Sequence, residues 1–71
     1  MGVSGSELGA LKLINEEGKE VSVHAVSRKM RIDTNYARLL CTSLARADYI
    51  DLLRAGLCRI TAKGKAALKT D

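Results

Sequence analysis

Side chains that could act as nucleophiles are present in this sequence, but they do not form a catalytic constellation. The serines share a single histidine, His24, and no Gly-x-Ser-x-Gly turn is present to expose and activate a hydroxyl. No glycine-rich phosphate loop is present, and a chain this short offers little room for a pocket around paired carboxylates. We therefore expect that this protein is not an enzyme. Its serines are Ser4, Ser6, Ser22, Ser27 and Ser43.

Metal binding is also not expected. Cys41, Cys58 and His24 are too few for a closed zinc site unless carboxylates or a second chain contribute ligands. The first residues lack the basic and apolar regions of an export signal, so a structural disulfide is not expected either. We interpret both cysteines as small core hydrophobes and His24 as an exposed bystander, with no cofactor, metal or small-molecule substrate.

Hydrogen bonding to nucleic-acid bases is the chemistry that the polar residues favour. Asn35 and Arg38 lie three positions apart near the start of a predicted helix, so both belong to its exposed face. Arginine can bind guanine through two hydrogen bonds, and asparagine can bind adenine in the same way. An exposed helix face must carry polar residues in any case, which is the alternative interpretation. If this helix is a DNA-recognition helix, Asn35 and Arg38 are the residues that we expect to read bases.

The charge distribution favours a polyanionic partner. The net charge of +4 divides into −2 over residues 1–27 and +6 over residues 28–71. A concentrated basic surface is typical of nucleic-acid binding, although a chance excess of Lys and Arg would look the same. Arg28, Lys29 and Arg31 would also complement the dipole of a helix that ends near them. The candidate phosphate contacts are Arg28, Lys29, Arg31, Thr34, Thr42, Arg46, Arg54 and Arg59, with Lys63 as an extension.

The chain length sets the scale of the fold that must position these residues. With 71 residues and 7.7 kDa, we expect a single domain over residues 1–71 with one modest core. Hydrophobic residues at 46% and charged residues at 28% are typical of a folded chain. The longest apolar run is far shorter than the ~20 residues of a membrane span, so we expect a cytoplasmic protein.

Periodicity and capping residues predict three helices in the first two thirds of the chain. The first runs from about Gly5 to Glu17, with a capping box at Ser4 and Glu7 and Gly18 as its end. Helix 2 covers Val23–Met30 after Ser22 as N-cap, with Ser27 among the residues that face water. A turn at Arg31-Ile32-Asp33 leads to helix 3, from Thr34 to about Ala47, whose apolar stripe is Ala37, Leu40, Cys41 and Leu44.

The last third predicts a β-hairpin followed by a helix. Strand-like runs at Tyr49–Leu53 and Leu57–Thr61 are joined by Arg54-Ala55-Gly56. Ile50 and Leu52 would share one face, and Cys58 and Ile60 the facing one. Thr61 would cap a final helix from Ala62 to about Lys69. The fold class is therefore mainly α with a small β-hairpin.

This order of elements resembles the winged helix-turn-helix domain of bacterial and archaeal transcription regulators, including the multiple-antibiotic-resistance-regulator type. The similarity extends over about Glu20 to Leu68. It rests on residues 23–33 as the second helix and turn, residues 35–44 in the third helix, Tyr49-Ile50 opening the wing, and residues 60–65 as an "L-T-x-x-G-x"-like entry to the last helix. Asp48 stands where these regulators typically have glycine, and the wing loop is unusually short.

The resemblance implies a prokaryotic transcription regulator that binds double-stranded DNA with helix 3 in the major groove. Such regulators act mostly as dimers, so helix 1 or helix 4 would have to supply the interface. The alternative is a protein-interaction module that docks through Leu39, Tyr36 and the short wing. Tyr36 could be a half-buried core residue, and Leu39 could be tucked under the wing instead. RNA binding by the same basic surface is a third hypothesis.

Overall fold

Four helices and a small three-stranded sheet build residues 5–69, the part of the chain that the structure, a computed structural model, describes. The predicted capping residue Ser4 lies outside the described residues. The elements in chain order are α1 (Gly5–Glu17), β1 (Val21–Ser22), α2 (Val23–Met30), α3 (Thr34–Arg46), β2 (Ile50–Leu52), a single 3₁₀ turn (Arg54–Gly56), β3 (Leu57–Ile60) and α4 (Ala62–Lys69). The mainly-α fold with a β-hairpin wing is confirmed.

Side-chain caps define the helix-turn-helix formed by α2 and α3. The Ser22 hydroxyl accepts a hydrogen bond from the backbone N–H of Ala25 at 3.0 Å, and the Asp33 carboxylate accepts one from Asn35 at 2.8 Å. Each cap satisfies a backbone donor that has no partner inside its helix. Arg31 ends α2 in the left-handed conformation, with φ at 59°, which turns the chain toward α3. Both predicted N-caps are confirmed.

Ser27 was expected to face water, and this expectation is wrong. Its side chain lies in the α2–α3 contact and is only 4% exposed. The hydroxyl donates to the backbone oxygen of His24 at 3.1 Å and lies 3.3 Å from the Thr34 hydroxyl. Because both contacts satisfy the buried hydroxyl, a polar residue can occupy a position on the apolar side of α2.

The sheet has the order β1-β3-β2 and is antiparallel throughout. Ile50 lies opposite Ile60 and Leu52 opposite Cys58, so these four side chains share one face. The prediction that Ile50 and Leu52 face Cys58 and Ile60 from an opposite surface is therefore wrong, because directly paired residues of neighbouring strands point to the same side of the sheet. The sequence also predicted only an extended segment before α2, whereas Val21 and Ser22 form a third strand that pairs with β3.

The core lies between the helices and this face of the sheet. Its fully buried large side chains are Leu11, Ile14, Val26, Cys41, Leu44, Ile50 and Cys58. Both cysteines are buried and free, as predicted. The pKa of the Cys58 thiol is raised because it hydrogen-bonds to Cys41 and because it is buried. The Cys58 thiol therefore stays protonated and hydrogen-bonds to Cys41 at the junction of α3 and the sheet.

The start of α4 is held closely against the segment between α3 and β2. The Thr61 backbone N–H donates to the Tyr49 carbonyl at 3.1 Å, and its hydroxyl donates to the Asp48 carbonyl at 2.6 Å. The same hydroxyl accepts from the Gly64 N–H at 3.0 Å, which confirms Thr61 as the predicted N-cap. Asp48 has a φ of 67°, in the left-handed region that glycine adopts without steric cost.

Candidate nucleic-acid interface

The side of α3 that points away from the core carries four residues, Asn35, Leu39, Thr42 and Arg46, which we call the outer face of α3. They recur at helical spacing opposite the buried stripe of Ala37, Leu40, Cys41 and Leu44, which confirms that stripe. Asn35, Leu39 and Arg46 are exposed, and Thr42 is half-buried. The helix contains no acidic residue, so its surface offers an amide, a hydroxyl, a guanidinium and one aliphatic group.

Arg38 lies at the edge of this surface and is exposed. It lines an open groove of ≈460 Å³ between α3 and the 3₁₀ turn of the wing, together with Thr34, His24, Ala55 and Gly56 among others. We call this the α3–wing groove. The structure therefore places the two predicted base-reading residues on adjoining surfaces, Asn35 on the outer face and Arg38 beside the wing.

Thr34 is half-buried at the first turn of α3. Its hydroxyl lies 3.3 Å from that of Ser27, so part of its hydrogen-bonding capacity is already used inside the protein. The Thr34 hydroxyl therefore links the start of α3 to α2. Because the Ser27 hydroxyl donates to the His24 carbonyl, the Thr34 hydroxyl donates to Ser27, and only its acceptor lone pairs remain for a partner in the α3–wing groove.

The basic residues of α2 lie on a second surface. Arg28 and Lys29 are exposed and line a cleft of ≈330 Å³ with Ser22, His24 and Ala25. The Lys29 ammonium group lies 3.1 Å from the Glu17 carboxylate of α1, which compensates part of its charge.

Arg31 follows α2 and is exposed. Its backbone caps α2, because its N–H donates to the Arg28 carbonyl at 3.3 Å. The predicted phosphate contacts Arg28, Lys29 and Arg31 are thus close together, with Lys29 already paired.

Arg59 belongs to a different part of the surface. It lies in β3 opposite Asp51 and its guanidinium is 3.3 Å from the Glu20 carboxylate. It lines a cleft of ≈220 Å³ with Asn15 of α1, Lys19 after α1 and Lys65 of α4 among others, and not the α3–wing groove. The structure does not bring Arg59 together with Arg38. Arg54, by contrast, is exposed in the turn of the wing, next to the groove residues Ala55 and Gly56.

The charge of the helix-turn-helix segment is strongly biased. Residues 21–47 contain a single acidic residue, Asp33, whose carboxylate is occupied in capping α3. The same segment carries Arg28, Lys29, Arg31, Arg38 and Arg46. A surface of this kind attracts a polyanion, and the affinity of the protein for that polyanion falls as the salt concentration rises.

The two apolar residues that the sequence left open, Tyr36 and Leu39, are both exposed. Tyr36 is 44% exposed and is not among the side chains that pack against the core cluster, so its interpretation as a half-buried core residue is wrong. Leu39 is 67% exposed, the highest value among the large hydrophobic residues of the described chain. The interpretation that the wing covers Leu39 is therefore wrong.

The prediction that His24 is exposed is confirmed, but the sequence analysis did not assign it to the candidate surface. Its side chain is exposed at the start of α2 and lines both the α2 cleft and the α3–wing groove. The only sequence signal for the position of His24 is the N-cap at Ser22, two residues before it. That the turn of the wing lies close to His24 depends on the pairing of β1 with β3, which the sequence did not predict.

Two further observations concern metal binding and membrane-spanning helices. Within residues 5–69, the structure contains no group of three His, Cys, Asp or Glu side chains able to hold a metal ion. None of the helices in this range has the length and hydropathy needed to cross a membrane.

Comparison with known proteins gives matches at the level of structure. No family model and no curated protein sequence matches the chain. A MarR-family protein from Bacillus stearothermophilus superposes with a TM-score of 0.89 at 21% identity, over 97% of this chain and 51% of that one. The reduced form of MarR from E. coli gives 0.85 at 13% identity, over 97% and 51%.

Ligand-free NadR gives a TM-score of 0.80 at 16% identity, over 94% of this chain and 50% of that one. The chain thus spans about half the length of each of these structures. Identities this low establish the fold and not the function. The chain has the winged helix-turn-helix fold of the MarR-type proteins.

Proposed function

We propose that this protein binds double-stranded DNA sequence-specifically through α3 in the major groove and acts as a transcription regulator. The observation that carries the proposal is the outer face of α3, which is exposed and free of acidic residues and ends in Arg46. The similarity to MarR-family structures supports the same reading. An α-helix fits the major groove, where each base pair presents a distinct pattern of donors and acceptors.

The predicted residues divide into base readers and phosphate contacts. Asn35 and Arg38 read bases, because they flank the exposed N-terminal half of α3. The main phosphate contacts are the exposed basic residues around the helix-turn-helix and wing, namely Arg28, Arg31, Arg46 and Arg54. Lys29, Thr34, Thr42 and Arg59 contribute less, since they are ion-paired, hydrogen-bonded or half-buried.

The size of the fold allows one copy of the protein to contact one half-site of a two-fold symmetric DNA site. Its longest principal extent is 28 Å, whereas two successive major-groove half-sites are about 34–36 Å apart. One copy therefore reaches one half-site, and a palindromic operator requires two. We propose a homodimer on DNA, with the interface outside α2, α3 and the wing, and light scattering with and without duplex measures the stoichiometry.

The first experiment measures binding of a mixed-sequence duplex by fluorescence anisotropy over a series of salt concentrations. Each neutralised phosphate contributes a slope of about −0.9 to the plot of log affinity against log salt. Arg46→Ala should weaken binding to all sequences and make the slope shallower by about 0.9. Arg59→Ala is the matched control, because Arg59 lies in another cleft and pairs with Glu20, and it should change the slope far less.

Base reading requires its own variant. Arg38→Ala should reduce discrimination at one base pair by roughly 5- to 150-fold, as expected from loss of one bidentate contact, while the salt slope changes little. An unchanged specificity profile would refute the role of Arg38. Absence of duplex binding at low salt would refute the proposed function, and the same titration with single- and double-stranded RNA would test that alternative.

A further inference from the structure

Leu39 is an aliphatic side chain in the middle of a polar helix surface. It is 67% exposed and lies outside the hydrophobic core cluster. Asn35 precedes it by one turn, and Thr42 and Arg46 follow it at three and seven positions, so all four share the outer face of α3. The fold gains little from a leucine here, so its side chain is available to contact a partner.

The neighbours of Leu39 decide between two classes of partner. A protein-docking surface has an apolar centre that is depleted in charged residues. Here the leucine lies among an amide, a hydroxyl and a guanidinium, with the partly exposed Tyr36 three positions before it, and the helix carries Arg38 and Arg46 without any acidic residue. This is the combination that complements the edge of base pairs in the major groove, where the C5-methyl of thymine is the one apolar group.

We propose that Leu39 is a specificity-determining residue that recognises the methyl group of a thymine. This inference rests on the proposed function and adds a requirement on the operator. Asn35 and Leu39 lie four residues apart, or roughly 6 Å along the helix axis. Since base pairs rise by about 3.4 Å, the thymine lies within about two base pairs of the base that Asn35 contacts.

The test removes the methyl group from the DNA and the side chain from the protein. The preferred duplex is first selected from a random library with the full chain. Each thymine is then replaced singly by deoxyuridine, which lacks only the methyl group, and the affinity is measured for the wild type and Leu39→Ala. One replacement should weaken wild-type binding about fourfold, the factor that corresponds to one buried methyl group.

Leu39→Ala should bind the thymine duplex more weakly than the wild type and should not respond to deoxyuridine at that position. The variant folds, because the side chain is exposed and outside the core, and circular dichroism verifies this. Leu52→Ala is the matched control. It truncates another exposed leucine, on the wing strand β2, and should keep the wild-type response to deoxyuridine.

Each result is decisive. If the wild type selects a duplex but responds to no thymine replacement, the inference is overturned and the proposed function stands. If Leu39→Ala retains the wild-type response to deoxyuridine, the methyl group is read by another residue and the inference is again overturned. If the wild type binds no duplex at low salt, the proposed function fails and the inference with it, and Leu39 becomes evidence for a protein partner.

Discussion

Replacing Gly64 by alanine should strongly destabilise the protein, although alanine is the better helix former. A Cβ atom at Gly64 would fall on the carbonyl oxygen of Tyr49 and within 2.8 Å of the Ile60 Cγ1 atom. The first of these is a backbone atom that cannot rotate away. The helix α4 would have to move outward, away from the segment that precedes β2.

The expected loss follows from the contacts that this movement breaks. Overpacking at a close contact costs about 1–3 kcal/mol, and weakening the Thr61 bonds to the Tyr49 and Asp48 carbonyls costs about 1 kcal/mol each. The intrinsic helix preference of alanine returns about 1 kcal/mol. The net destabilisation is about 2–4 kcal/mol, a large share of the 5 kcal/mol or so that a small domain has.

Urea unfolding followed by circular dichroism at 222 nm measures this change. The matched control is Gly9→Ala, in the interior of α1, where the nearest atom to an added Cβ is the Met30 Cε at an ordinary 3.5 Å. Gly9→Ala should stabilise the protein by about 0.4–1 kcal/mol. The two identical substitutions should thus have opposite signs, and a Gly64→Ala variant as stable as the wild type would refute the close-approach argument.

Three other substitutions or conditions test separate features. Asp48→Gly should raise the free energy of unfolding by up to about 1 kcal/mol, because glycine adopts a φ of 67° without steric cost. The change is measured as a higher urea midpoint, and an unchanged or lower midpoint would argue against strain at Asp48. Ser27→Ala should lower the stability by about 1 kcal/mol through loss of its bonds to His24 and Thr34, again by urea unfolding, and a neutral effect would contradict their importance. Above pH 9 both thiols ionise in the unfolded chain, whereas in the folded chain the pKa of Cys58 is raised by its hydrogen bond to Cys41, so stability should fall as the pH rises. The fall should be smaller in the Cys41→Ala/Cys58→Ala double variant, which removes both coupled thiols, and equal pH dependence of the two proteins would contradict the raised pKa.

Local signals predicted the helices well because each helix carries its own start and stop. Ser22, Asp33 and Thr61 cap their helices through side-chain oxygens that bind backbone donors two or three residues ahead, as the sequence indicated. Gly18 follows α1 with a φ of 70°, as expected of a helix-ending glycine. Such interactions span one turn, so the residue types and their spacing are sufficient to predict them.

Long-range interactions were not predictable in the same way. The strand β1 has two residues, which is too short for an alternating pattern, and it exists only because β3 pairs with it. Ser27 was expected to face solvent because it is polar, and its burial depends on Thr34 from the next helix. Each error arose where a second element supplies the partner.

The candidate surface shows the same division. The exposure of Asn35 and Arg38 followed from the apolar stripe of α3, which the sequence shows directly. The ion pairs of Lys29 with Glu17 and of Arg59 with Glu20 depend on how separate segments meet. For this reason the sequence predicted a single basic surface, whereas in the structure Arg59 lies in a separate cleft.

The central position of β3 in the sheet has a consequence for the order in which the protein folds. The contacts between α2 and α3 join neighbouring segments of the chain, whereas pairing Val21 with Cys58 closes a long loop. Loop closure of this kind has a high entropic cost and slows folding. We therefore expect the two helices to associate early and the sheet to close in the rate-limiting step. The helix-turn-helix cut out of this protein, without β3, would lose the strand that holds the start of α2 in place.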